Sequence, residues 1–192
     1  MKEKNNQLKE IYAAFDADTR DLVKGHACTR GCSFCCRQAG SIDITTLEGM
    51  VIRKAMEKMP KSRQKTLTKA FRNEIKQREE GNAVPCPFLM KNNACMIYEN
   101  RPFSCRRIYS AHVCTQDAPP AVSRQVMERA DQTIAALQKL DDTGYSGHMS
   151  YIIYMLSVPA FLKTYTAGEF KPEEIMEFGK THKIIINRMM AK

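Results

Sequence analysis

A chain of 192 residues, 43% hydrophobic and 27% charged, has the composition of a globular protein long enough to bury a core. Its few, mostly isolated Gly and Pro residues exclude a low-complexity or linker-rich chain. Thirty Lys and Arg against 21 Asp and Glu leave a net charge of +9, which fits either a solvated basic surface or an anionic or protein partner.

The cations are spread along the whole chain rather than gathered in a block, so nucleic acid is the weaker partner class. Met1 to Glu10 is charged and amide-rich with no apolar stretch behind it, and no secretory signal is expected. The most apolar segment, Met149 to Leu162, contains Ser150, Ser157 and Pro159 and falls short of the roughly 20 apolar residues of a transmembrane helix. A cytoplasmic chain with no membrane partner is the expectation.

The first predicted element is a helix with Leu8, Ile11, Tyr12 and Phe15 on one face and Leu22 and Val23 further along. It runs into Gly25-His26-Ala27 and a first cysteine cluster. Ser41 to Thr45 is short and β-branched. Thr45 and Glu48 then form a Thr-x-x-Glu capping box, opening a helix with Leu47, Met50, Val51 and Ala55 that stops near Pro60. Ser62 is the predicted cap of a further helix carrying Leu67, Ala70, Phe71 and Ile75 and ending at Gly81.

From Val84 to Cys114 the helical rhythm breaks. Phe88-Leu89-Met90, Lys91-Asn92-Asn93 and Ala94 to Tyr98 suggest a short hairpin with an Asn-rich turn, and Glu99 to Pro102 a second turn. A compact irregular unit of this kind has little core of its own, and a metal site is the usual remedy. Helices then return: a stripe of Val126, Ala130, Ile134 and Leu137, a helix around Ile152 to Tyr165 bent by Pro159, and a last one from Pro172 towards Met190. The expected fold is mostly α, a helical bundle with a cysteine-rich metal-binding insert containing a short β-hairpin. It forms a single domain over 1–192, with the cysteine-rich region at 26–114 and a helical tail over 119–192 packing on it.

All eight cysteines, Cys28, Cys32, Cys35, Cys36, Cys86, Cys95, Cys105 and Cys114, fall inside the first 114 residues. In a reducing compartment stable disulfides are rare, so such density points to metal binding. The eight are the candidate metal ligands, for an iron-sulfur cluster or zinc, with the cluster slightly favoured because bridging sulfides tolerate irregular spacing. Zn–S bonds are about 2.3 Å, so ligands must crowd together, and Gly31 lets the first loop turn to do so. Cys35 and Cys36 are adjacent and are expected to diverge, one of them reaching a second centre or staying free. His26 and His112 each lie two residues before a cysteine and share its face in an extended segment, although a hydrogen-bonded histidine fits as well. His148 and His182 sit on predicted helices and carry no functional expectation.

Four thiolates around zinc or a cluster leave a net charge of about −2. Arg101, Arg106 and Arg107 are the candidate cofactor-binding residues. With Arg30 and Arg37 they lie near cysteines in sequence, placed to offset that charge or to bind an anionic substrate.

These residues resemble the YkgJ-like CxxCxxCC family of zinc- or iron-chelating proteins. The resemblance rests on Cys28, Cys32, Cys35 and Cys36, on Ile42-Asp43-Ile44-Thr45 and Glu48, and on Cys86-Pro87-Phe88-Leu89. It continues through Cys95 to Pro102 and Cys105-Arg106. The departures are the Cys28-x-x-x-Cys32 spacing, one residue longer than the family name implies, and Cys114, outside the core motif. The family implies metal chelation, and its likeness to the cysteine region of flagellin lysine methylases points to an iron-sulfur cluster; the thiolate count itself suggests a redox or maturation-related role. An alternative is a metal-dependent enzyme, methyltransferase-like or using S-adenosylmethionine. Cys28, Cys32 and Cys35 with Phe34 look like the radical S-adenosylmethionine signature, but that fold needs repeated βα units and none is apparent. A zinc-stapled basic nucleic-acid- or protein-binding module is the third reading, without any C₂H₂ spacing to support it.

Overall fold

A computed structural model of the chain describes residues 1–29, 31–38 and 41–186. The expected mostly α architecture is present. In chain order it runs α1 (Lys2–Thr19), α2 (Phe34–Gln38), β1 (Asp43–Thr45), α3 (Thr46–Glu57), α4 (Lys61–Glu79), α5 (Phe103–Arg106), α6 (Arg124–Leu140), β2 (Ser146–His148), α7 (Met149–Ser157), α8 (Pro159–Ala167) and α9 (Ile175–His182). Single 3₁₀ turns lie at Tyr98–Asn100 and Pro172–Glu174.

The apolar face of α1 meets that of α6, with Leu8 and Phe15 packed among Val126, Ala130, Leu137 and Phe103. A larger core gathers Ile52 of α3, Leu67 and Phe71 of α4, Ile152 and Leu156 of α7, and Phe161 of α8. Cys86, Cys95 and Cys105 pack against this core. Among the described residues no helix is long and apolar enough to cross a membrane.

The capping box at the start of α3 is complete: Thr45 Oγ1 accepts from the Glu48 amide, and the Glu48 carboxylate accepts from the Thr45 amide at 2.8 Å. β1 pairs antiparallel with β2, Ile44 opposite Gly147, and the Met149 amide extends the contact to the Ile42 carbonyl at 2.8 Å. This pairing fixes the chain just after the first cysteine loop onto the start of α7. The hairpin expected at Phe88 to Tyr98 is a tight loop closed by one antiparallel bridge, Leu89 to Cys95, with Asn93 in the left-handed region at φ 63.

Three expectations need correction. Ser62 does not cap α4, because the helix begins earlier. Pro60, extended at φ −55, ψ 144, leads into it and accepts the Gln64 amide, so Ser62 already lies inside the first turn. Pro159 does not bend one helix but separates two. It lacks an amide hydrogen and drives the preceding residue out of helical geometry, and Val158 accordingly sits at φ −87, ψ 118 with Pro159 opening α8. The last helix stops at His182, where Lys183 adopts φ 54; Met190 lies outside the described residues.

Candidate metal centre

The first cysteine loop turns at Gly31, at φ 97, a conformation that glycine adopts without strain. It leads into α2, which carries Cys35 and Cys36. Successive residues on a helix are separated by about 100° rather than the half-turn of a strand. Both sulfurs therefore border the same recess instead of diverging as expected.

The second stretch is held against this loop by backbone hydrogen bonds. The Cys86 amide donates to the Cys36 carbonyl at 2.8 Å, and the Ala27 amide to the Ser110 carbonyl at 2.8 Å. Arg37 on α2 donates to the Asn93 side chain at the turn of the 88–98 loop. Cys32, Cys35, Cys36, Cys86, Cys95 and Cys105 consequently line one recess. Its inner volume is about 70 Å³, and its apolar walls include Ile42, Phe88, Ile97 and Met149.

Cys28 and Cys114 lie outside that lining. Cys28 Sγ accepts from the Ser110 amide at 3.3 Å, and Cys114 Sγ lies 3.9 Å from the His112 carbonyl. The two are electrostatic neighbours of each other, and Cys28 is also a neighbour of Cys32 and Cys35. All eight cysteines are free thiols. Among the described residues no three His, Cys, Asp or Glu side chains converge closely enough to hold one metal ion; the sulfurs ring a space rather than meet at a point.

Burial raises Cys86 to about 12 and pushes Cys105, Cys95 and Cys28 upward as well. Backbone amides oppose this at three sulfurs: Phe88 acts on Cys86, Ile97 on Cys95 and Ser110 on Cys28. Cys35 is lowered, first by its pairing with Cys36, with Arg101 contributing, while Cys36 is raised by the same pairing. Amides aimed at thiol sulfurs stabilise thiolate, the form that binds metal. Soft, cluster-forming donors with N–H groups directed at them fit zinc or iron.

The arginines separate. Arg101 lines the recess, stacks over the Tyr98 ring at 3.8 Å, and favours ionisation of Cys35, Cys95 and Cys105. Arg106 is turned to the carbonyls of Arg101 and Glu99 and to the Tyr12 ring. Arg107 reaches towards Met127 Sδ at 3.9 Å. Neither lines the cysteine recess, and Arg30 lies outside the described residues. His26 bonds the Val23 carbonyl through Nδ1 at 2.7 Å, and His112 Nε2 approaches the Ala118 and Pro119 carbonyls. The recess walls Phe88 and Ile97 were not singled out from sequence as site residues. Each stands two positions after a cysteine, and that is the spacing at which an amide can reach back to the sulfur.

A family model described as CxxCxxCC, putative zinc- or iron-chelating domain, matches residues 27–139. No curated protein and no solved structure matches the chain. The matched span holds every cysteine, β1 and the recess walls other than Met149, and the chain belongs to the CxxCxxCC family of zinc- or iron-chelating domains.

Proposed function

We propose that this domain binds an iron-sulfur cluster in preference to zinc and serves a redox or cluster-maturation role. Cys35, Cys36, Cys86, Cys95 and Cys105 are the inner thiols, with Cys28, Cys32 and Cys114 at the mouth. The observation that carries this reading is the ring of thiols from three separate segments around one recess. Tetrahedral zinc with bonds of about 2.3 Å wants its sulfurs roughly 3.8 Å apart, whereas a cluster, with several irons between its ligands, suits a wider ring. Apolar walls and sulfur-directed amides are the features that tune a cluster's potential, and Arg101 supplies positive charge where thiolates would accumulate. The helical tail belongs to the same unit in this reading, since Met149 closes one side of the recess.

Purification without oxygen, followed by a visible spectrum and by iron, zinc and sulfide analysis, tests the reading. Iron with matching sulfide and broad visible absorption is expected. A colourless protein with stoichiometric zinc overturns it. In parallel, Cys105→Ser is expected to abolish metal binding, whereas Cys32→Ser, at the exposed mouth, retains part of it. Loss of half the metal from each variant would instead mean two separate centres.

A further inference from the structure

Behind the cysteine recess, on the other side of Arg101, lies a cleft of about 520 Å³ between α1, α3 and the 3₁₀ turn at Tyr98–Asn100. That volume falls in the range of sites for small organic ligands. Its rim carries five cations, Lys9, Lys54, Lys58, Arg101 and Arg106, against two carboxylates, Glu48 and Glu99. The Glu48 carboxylate is already engaged by Tyr12, Thr45 and Phe103. Among the described residues none of Lys9, Lys54 and Lys58 has a carboxylate within ion-pair distance.

Between the cations the walls are apolar, formed by Leu8, Val51, Met59 and Met96. At the α1 side the buried Asn5 Oδ1 has no hydrogen-bond partner, and an asparagine amide turned over presents its NH₂ instead. A buried polar group left unsatisfied is uncommon and calls for a partner. Arg106 spends two of its five N–H donors on the carbonyls of Arg101 and Glu99, which holds the guanidinium in place with donors to spare.

We propose that this cleft binds a small organic anion with an apolar body. Its carboxylate or phosphate would be held by Lys54, Lys58 and Arg106, and its body would lie against Leu8, Val51 and Met59. Arg101, with Ile97 and Pro102, lines both the cleft and the cysteine recess, so an anion in the cleft bears on the charge that faces the thiols. The cleft is built from side chains outside the cysteine ring, and its binding does not depend on which metal that ring holds.

The fluorescent anion anilinonaphthalene sulfonate is the probe, titrated into the purified full chain. Saturable one-to-one binding is expected, weakened by salt because the rim charges are exposed. Lys54→Glu with Lys58→Glu should weaken it by about tenfold or more, with Lys54→Gln and Lys58→Gln as the milder pair should the charge reversal unfold the protein. The same reversal at Lys65 and Lys69, on α4 outside the cleft, should leave affinity unchanged. A nucleoside monophosphate and a medium-chain fatty carboxylate then compete separately, and the one that displaces the probe identifies the head group. Equal affinity in the wild type and both cleft variants overturns the proposal. So does equally tight binding of neutral phenylnaphthylamine, or failure of both competitors.

Discussion

The Phe103 amide donates to Glu48 Oε1 at 2.7 Å, joining residues 55 positions apart. The same oxygen accepts the Tyr12 hydroxyl at 2.6 Å, and the other closes the capping box on Thr45. One buried carboxylate thus ties α1, the start of α3 and the start of α5, and α5 carries Cys105. Glu48→Ala would leave several buried donors without an acceptor, each costing about 1–3 kcal/mol. A loss of about 3–5 kcal/mol in urea denaturation is expected, with reduced metal content because α5 loses its anchor. A loss below about 1 kcal/mol would show that the carboxylate does not hold these elements together.

Acid should destabilise the protein through His148. Burial lowers its pKa from 6.5 to about 3, so the folded state binds fewer protons than the unfolded one. The stability tied to this histidine is complete above about pH 6.5 and falls as the pH drops towards 3, by up to about 5 kcal/mol. Its 3.8 Å approach to Glu74 is not an ion pair, since the imidazole stays neutral. Asp141 works in the opposite sense. Burial raises it from 3.8 to about 6, so its contribution is complete below about 3.8 and is lost as the pH rises through 6. Between these limits the two slopes oppose each other. His148→Asn, which keeps an acceptor for the Ser150 amide, should leave the slope of Asp141, joined by that of Glu74, whose carboxyl is also pushed up by burial, with stability falling from about pH 4 to pH 6. Unfolding free energies measured across that range decide it; identical profiles for wild type and variant would mean that His148 is not held neutral.

Close approach of α3 and α7 requires the absence of a side chain at Gly49. A Cβ there would lie 2.7 Å from Ile152 Cγ2 and 2.8 Å from Leu156 Cδ1. Ile152 is fully buried and its branched side chain has few rotamers to escape into, so the helices must move apart. Gly49→Ala should cost about 1–3 kcal/mol, although alanine is the better helix former by roughly 1 kcal/mol. Thermal melting measures the balance, and a rise in melting temperature would show that the contact yields easily.

Sequence periodicity located the helices well where a local signal existed. The Thr45-x-x-Glu48 box was legible because its two partners are three residues apart, and the α6 stripe because four apolar residues share one face. β2 was not legible: Ser146-Gly147-His148 has no β-branched residue and is extended only because β1 lies beside it. The second role of Glu48, on Phe103 and Tyr12, was hidden for the same reason. The cysteines marked the centre, but which arginine faces it depended on how α5 is oriented. Arg101, before that helix, reaches the recess, while Arg106 and Arg107 on and after it turn to Tyr12 and Met127. The basic cleft gathers residues from α1, α3, the 3₁₀ turn at Tyr98–Asn100 and α5, which no spacing in the sequence connects.

Because β1 pairs with β2 in the sheet of the described residues, that contact behind the first cysteine loop forms only once the ribosome has passed His148. Until then the recess lacks Met149 as a wall. A shorter nascent chain therefore carries all eight cysteines while the recess still lacks one of its apolar walls.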